Sequence, residues 1–496
     1  MFWHLRNDRP LDGLAQFVQG SSVRMPVFVT ALVWIACAFA LAGVTLGLRG
    51  APLELAGLRI DALSLTLAVA ATLVSGIVHL FALRYMAGER GQARFFGRLG
   101  LLTLVVLLLL AADHVVLFAA AWIAMGLLLA SLIGHIRDWP QARAAAGRAR
   151  ALFLLGGAAL SLGLVVLARA AGTGSIHGIL GNAGAIPAGT LWFAVACFAL
   201  AAMIQCGLVP FHSWLMASMT APTPVSAFMH AGLVNAGGIL LARFAPVFDA
   251  LPTAMTLVFA IGAVSVLLAA LAQLVQSDVK RGLAASTVAQ MGFMLVQCGL
   301  GFFAAAMAHL ALHGLYKASL FLGAGSAVVT PLKCRAPRVS TGAAGVAAVA
   351  AGGAGGGAFA LVSGKLDYGL FTTGAVLVIF AGVAAAQAAL AFARTASAPA
   401  LAATPPVLAG VGALYGLLVV GAEALLAPVP GLSQPQPLTA VHLLALLAIL
   451  GAWGAVAAGL HTRSRWLYAR LLTWSQPPAA TVSDRKSLNA GSVTHA

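Results

Sequence analysis

The chain has 496 residues, of which 61% are hydrophobic and only 8% charged, and its mean hydropathy is +1.00. A soluble chain is about a quarter charged, so this composition excludes water as the main solvent. The formal net charge of +16 raises nucleic acid as a partner, but the placement of the positive residues excludes it.

The opening segment, MFWHLRNDRPLDGLAQFVQGSSVRM, has no signal-peptide pattern, and the first span is expected to stay in the mature protein. From Met25 to His461 apolar runs of roughly 20 residues recur, each long enough to cross about 30 Å of hydrocarbon as a helix. A β-barrel would show short alternating segments instead. Residues 1–96 read as an N-terminal cytoplasmic segment and two transmembrane helices, 25–48 and 60–86. Five spans follow at 97–112, 114–135, 149–170, 190–217 and 222–246, and five more at 252–275, 283–300, 302–329, 340–366 and 370–394. Residues 405–461 hold the last two, 405–427 and 438–461, before a cytoplasmic amphipathic segment and disordered tail over 462–496. The expected fold is an all-α polytopic membrane protein with about fourteen transmembrane helices.

The positive residues fall in alternate loops. Arg6, Arg9, Arg24, Arg84, Arg90, Arg94, Arg98, Arg137, Arg143, Arg148, Arg150, Lys280, Arg281, Lys333, Arg335, Arg338, Arg394 and the cluster from Arg463 to Lys486 lie on one side, and the other side holds Arg49, Arg59, Arg169, Arg243 and Lys365. That is roughly 22 against 5, which places both termini in the cytoplasm of a bacterial inner-membrane protein. The basic balance therefore reports topology and the lipid bilayer as partner, with no nucleic acid. Cys37, Cys197, Cys206, Cys298 and Cys334 are scattered without ligand spacing, so neither a disulfide framework nor a metal site is expected.

Ionisable groups inside a bilayer cost several kcal/mol unless paired or hydrated, which makes the few present the informative residues. Three stretches hold most of them. In the first, Gln205 to Gly238, Pro210 lies late in an apolar run and frees backbone carbonyls, so the helix is expected to break there. Ser226 and His230 follow one turn apart on a shared face. The second stretch, Ser277 to Met294, opens with Asp278, Lys280 and Arg281 at a helix entry, where dipole and headgroups favour them. In the third, His309, His313 and Lys317 are spaced i, i+4, i+8 and form one polar stripe on a buried helix.

PTPVSAFMHAGLVNAGG, DVKRGLAASTVAQMGFM and HLALHGLYKASLFLGAG resemble three signature segments of the antiporter-like proton-translocating subunits, found in respiratory complex I, membrane hydrogenases and multisubunit sodium/proton antiporters. The resemblance covers roughly residues 60–395. It implies two inverted five-helix repeats, about 97–246 and 252–394, each with a broken helix. The second break is then expected near GGAGGGAFALVSGKLDYG, with Lys365 beyond it. Two departures stand out: where the family usually has a glutamate after a tryptophan and a lysine before the broken-helix proline, this sequence reads Trp122-Ile123 and Gln205. Losing both members is consistent, because a stranded partner would be an uncompensated buried charge. AGLVNAGGILLARFAP also looks like the membrane subunits of the DAB-type inorganic-carbon pumps, a branch of this family. That resemblance implies a separate DabA-like cytoplasmic partner, a zinc protein resembling β-carbonic anhydrase. Zinc and any hydration chemistry would reside in that partner, and this chain is expected to be a transporter subunit without a cofactor.

For His309, His313 and Lys317 the functional reading is a relay of protons or, alternatively, sodium, and the structural reading is a hydrogen-bond ladder between helices. His230 either joins the relay or caps broken backbone, and Gln205 either orients water or satisfies the break. Hydropathy makes Lys365 an interfacial snorkelling lysine, whereas the family alignment makes it an ion-path residue. Ser226, Asp278 and Lys280 are accessory candidates; Asp278 and Lys280 read first as capping and topology residues. Glu423, His79 and His212 read as helix-end residues, and Asp113 with His114 as an exposed turn or an ion entrance. The expected function is ion translocation driving inorganic-carbon uptake. The alternatives are an antiporter-like subunit of a complex I-type redox complex or cation/proton antiporter, and a non-conducting scaffold.

Overall fold

The computed structural model describes residues 21–46, 52–325, 340–393, 397–460, 464–477 and 481. The expected N-terminal cytoplasmic segment before residue 21, the basic loop with Lys333, Cys334, Arg335 and Arg338, Arg394, and residues 462–463, 478–480 and 482–496 of the expected amphipathic segment and disordered tail lie outside them.

Lipid offers no hydrogen bonds to the backbone, so apolar runs of this length satisfy themselves as helices. In chain order these are α1 (Ser21–Thr45), the hairpin β1 (Leu53–Leu55) and β2 (Leu58–Ile60), α2 (Ala62–Tyr85), α3 (Gln92–Ala111), α4 (Val115–Ile133), α5 (Pro140–Ala171) and α6 (Ala188–Gln205). Then come α7 (Thr223–Ala231), α8 (Ala236–Arg243), α9 (Pro252–Gln273), α10 (Val279–Gly299), α11 (Phe303–Leu322), α12 (Thr341–Ser363), α13 (Thr373–Ala393), α14 (Thr404–Leu426), α15 (Ala440–Ala457) and α16 (Arg465–Ser475). Among the described residues eleven helical stretches are long and apolar enough to cross a membrane, and each falls on one of the fourteen expected spans. The remaining three spans are occupied by α10 and α11, where polar residues lower the hydropathy, and by the shorter α15. The protein is an all-α polytopic membrane protein.

One end of the bundle carries the β-hairpin. There Asp113 accepts hydrogen bonds from Ser175 Oγ (2.5 Å) and His177 N (2.8 Å), and His114 pairs with Ser175 through the backbone, so these two residues fasten a turn. Asp61 caps α2, and its carboxylate pairs with Arg243 at the end of α8. Burial alone would raise the Asp61 pKa, but the guanidinium charge and its hydrogen bonds bring it below the ordinary value. Arg243 also donates to the Leu110 carbonyl at 3.1 Å, tying α2, α3 and α8 together. At the opposite end the amphipathic α16 is held by His212, whose ring lies 4.3 Å from that of Trp474, and by Gln276, which donates to Ser475 Oγ at 2.6 Å. His79 is not a helix-end residue. It is buried within α2, bonded to the Ser75 carbonyl at 2.8 Å, and Ser75 reaches Thr103 of α3 at 2.7 Å.

The break expected at Pro210 is present. After α6 the chain turns through short helices at Ser213–Ala217 and Ser218–Thr220, and a further 3-10 turn, Leu233–Asn235, separates α7 from α8. The freed carbonyls find donors: Trp214 Nε1 reaches Ile204 O at 2.8 Å, and Asn235 Nδ2 reaches Ala231 O at 2.8 Å.

The break expected in the glycine-rich segment is not there. α12 runs unbroken through Gly352–Gly357 and stops at Gly364, which adopts φ +64 ahead of the turn into the antiparallel α13. The glycines serve packing. A Cβ on Gly356 would meet Gly382 Cα at 3.1 Å, and one on Gly355 would meet Ala385 Cβ at 2.7 Å. Membrane helices approach through such small residues, so helix propensities from water misjudge this segment.

Gly353 and Gly357, beside which an added Cβ meets nothing within 4 Å, distinguish packing from breakage. Gly353→Ala and Gly357→Ala should each raise thermal stability in detergent by up to about 1 kcal/mol, while Gly356→Leu should lower it. Loss of stability in both alanine variants would show that the segment needs to break.

Candidate ion pathway

α11 presents His309, His313 and Lys317 on one face. Lys317 is 0% exposed, and its Nζ donates to the Leu283 carbonyl of α10 at 3.0 Å. Among the described residues it has no carboxylate partner. The His309 and His313 rings lie 6.0 Å apart and nearly parallel, at 19°. Both nitrogens of His313 and Nε2 of His309 are buried without a protein partner. Leaving such atoms unsatisfied costs about 1–3 kcal/mol each, so this face has unused capacity for hydrogen bonds to water or a mobile proton carrier.

His230 joins this face from α7. The two helices come close because residue 314, between His313 and Lys317, is glycine: a Cβ there would lie 2.6 Å from the Ala231 carbonyl. His230 Nδ1 is 3.1 Å from Thr287 Oγ1, and Thr287 donates to the same Leu283 carbonyl at 2.9 Å that accepts from Lys317. A hydroxyl has one proton, so with it directed at Leu283 the imidazole is the donor at Nδ1 and keeps a free lone pair at Nε2. The ring stacks on Phe321, with centroids 4.3 Å apart. Ser226 Oγ, one turn back, is buried without a protein partner. Thr287 and the Leu283 carbonyl thus connect the two stripes, a link that residue spacing within one helix cannot reveal.

The two positions of the missing family pair are occupied without charge. Gln205 is 1% exposed, and its amide donates to the Leu233 carbonyl at 3.1 Å, so it satisfies the α7–α8 interruption. Ile123 packs against Gly157 of α5. Asp278 is an exposed cap that accepts from Arg281 N at 2.8 Å, and Lys280 is beside it at the helix entry. The structure does not bring Asp278 or Lys280 onto the stripe by any hydrogen bond.

A cavity of about 740 Å³ lies among α9, α10, α13, α14 and α15, with Ser286, Gln290, His309, Gln387, Tyr415 and Trp453 in its lining. It reaches from the α16 end of the bundle to His309. Tyr415 Oη accepts from Gln297 Nε2 at 3.0 Å on the inner wall.

Lys365 lies just past Gly364 and is 1% exposed. It is not an interfacial snorkelling lysine: its Nζ pairs with Glu423 of α14, and Ser433 donates to the same carboxylate oxygen at 2.9 Å. Glu423 is therefore more than the helix-end residue expected of it. Its sequence signal was its position as the single acid in an otherwise apolar span. Among the described residues no three His, Cys, Asp or Glu side chains gather as a metal site.

Residues 112–336 match the family described as NADH:quinone oxidoreductase/Mrp antiporter, TM, and residues 55–96 match the complex I chain 5 N-terminus family. The chain is 38% identical over 278 residues to a Halothiobacillus neapolitanus protein named "Probable inorganic carbon transporter subunit DabB1", covering 55% of this chain and 50% of that one. It is 38% identical to the Bacillus subtilis DabB, covering 54% of each. It is 37% identical to NADH-quinone oxidoreductase subunit L of Mycobacterium tuberculosis, covering 55% of this chain and 43% of that one. The chain thus matches about half the length of these relatives. In fold it resembles a chain of the Mrp complex from Dietzia sp. DQ12-45-1b, with TM-score 0.63, 23% identity, and coverage of 94% of this chain and 59% of that one.

Two measurements check this geometry. Gln205→Lys should destabilise the protein by about 3–5 kcal/mol, read as a fall in thermal midpoint, because it buries a charge with no partner; wild-type stability would mean that the site is wet. In a background without native cysteines, cysteine at position 365 should react slowly with a membrane-impermeant thiol reagent. Cysteine at position 371, where Phe371 is 86% exposed, should react quickly. Equal rates would place Lys365 in an open loop.

Proposed function

We propose that this chain, an antiporter-like ion-translocating membrane subunit, conducts protons, or sodium in their place, and couples the downhill flux to inorganic-carbon uptake. The observation that carries the proposal is the face shared by α7, α10 and α11. His230, His309, His313 and Lys317 are gathered there inside hydrocarbon, where a lysine charge at helix centre costs about 2.5–3.5 kcal/mol on insertion scales. Three imidazoles, each with at least one unpartnered nitrogen, can accept a proton on one nitrogen and release it from the other. Lys317, fixed on the Leu283 carbonyl, sets the electrostatic field in which they titrate. Ser226 and Thr287 extend the hydrogen-bonding line, while Gln205 holds the broken backbone that lets α7 approach. Lys365 continues the path towards the hairpin end.

The relatives named inorganic carbon transporter subunit support the carbon substrate, and the partner is the one the resemblance to the DAB-type pumps implies. On this reading the chain resides in the bacterial inner membrane with both termini in the cytoplasm, in accord with its positive residues. The cavity then opens inward, and the hairpin end faces out. A DabA-like zinc protein resembling β-carbonic anhydrase docks on the cytoplasmic side and performs the carbon chemistry, and this chain supplies the driving ion. The two repeats, 97–246 and 252–394, form the two halves of the transporter. The competing reading, a subunit of a redox complex or cation/proton antiporter, has support from the subunit L relatives. The uncharged Gln205 and Ile123, at the positions where that family usually has an ion pair, favour the carbon pump.

His313→Ala and Lys317→Ala should each abolish uptake of labelled inorganic carbon in cells while leaving the complex with the zinc partner intact in pull-down, since one removes a carrier and the other the charge that tunes the carriers, and neither removes a docking surface. Normal uptake in both variants would overturn the relay. Co-purification with flavin and iron–sulfur subunits in place of a zinc protein would overturn the carbon assignment.

A further inference from the structure

The ion pair at the hairpin end is built asymmetrically. Lys365 is sealed: its Nζ lies 4.9 Å from the centroid of the Phe302 ring and 5.7 Å from that of Tyr368, at distances suited to cation–π contact. The Glu423 side chain, its partner, is 23% exposed, and Ser433 bonds to the same oxygen that holds the lysine. Water at this end therefore meets the carboxylate and not the ammonium. Three separate segments meet here: the α12–α13 turn, the last turn of α14, and the chain after α14 that carries Ser433. Phe302 stands directly before α11, the helix that bears the His309, His313, Lys317 stripe. Two turns back along α14 from Glu423, Tyr415 accepts from Gln297 and lines the same cavity as His309.

Resting on the ion-conducting reading above, we propose that Glu423 is the gate of the pathway at the hairpin end, a proton acceptor whose charge state opens and closes the Lys365 clasp. A proton from water at that end adds to the Glu423 carboxylate. The neutral acid no longer holds Lys365, and the clasp opens. The proton then leaves Glu423 inward, towards Gln297, Tyr415 and the cavity at His309, and the restored carboxylate takes back Lys365, so one proton enters and one leaves per cycle. Lys365 keeps its charge throughout and positions the carboxylate. A purely structural clasp would need both charges only to satisfy each other, and could be replaced by two apolar side chains without loss of transport.

The test uses the full-length chain, purified with the subunits that assemble with it, in vesicles holding a pH-sensitive dye under an imposed pH gradient. Wild-type vesicles should equilibrate faster than protein-free ones, and Glu423→Gln should slow the flux by about a hundredfold or more, the range of a lost proton-transfer group. The double variant Lys365→Met with Glu423→Met keeps the proposal falsifiable should the single variant fold poorly. It should match wild type in thermal midpoint and remain as slow as Glu423→Gln. Wild-type flux in either variant would reduce the pair to a structural clasp. Wild-type vesicles no faster than protein-free ones would overturn the ion-conducting reading itself, which is a different outcome from failure at Glu423 alone.

Discussion

The hydrogen bond from Lys317 to the Leu283 carbonyl is the contact on which the polar interior depends. An ammonium wholly buried among membrane helices is tolerable only where dipoles and hydration meet it, and every element near it is shaped accordingly. α10 offers a carbonyl that accepts from two side chains, α11 carries glycine at 314 so that α7 can come close, and α7 ends early enough to deliver His230 to Thr287. Helix interruption, glycine placement and side-chain polarity are one solution to one electrostatic problem.

The two halves of the molecule treat charge differently. Around the break after α6 the buried groups are neutral, with Gln205 and Trp214 donating to backbone carbonyls that the interruption leaves free. In the second half the charges persist, as Lys317 without an acid and Lys365 with one. A buried pair must be kept or lost as a unit, since one stranded member costs more than both. Around Gln205 neither member of such a pair is present, and the α12–α14 region holds both. Asp61 with Arg243 is a third arrangement, a pair at a helix end that ties three helices together.

The sequence makes the spans legible because hydropathy over about 20 residues is a one-dimensional signal, and bilayer thickness fixes its length. The stripe is legible for a similar reason: His309, His313 and Lys317 are neighbours by helical spacing alone. What spacing within one helix cannot supply is the partner from another. Glu423 is 58 residues from Lys365, and Thr287 is 57 from His230, and neither separation leaves a periodic trace. The glycines of α12 misled for a different reason. In water glycine loosens a helix, but between membrane helices the absence of a side chain is what allows Gly356 and Gly382 to touch. Pro210 did not mislead, because its missing N–H breaks the ladder in any solvent.

The central claim is that the α11 face is hydrated while the core around it is dry. Hydroxyl-radical footprinting of the intact complex reads this directly, since side chains beside internal water are oxidised and dry ones are not. The account predicts oxidation at His309 and His313 with protection of Met291 and Met294, which are fully buried on the neighbouring α10. Protection of both histidines to the same degree as those methionines would contradict it.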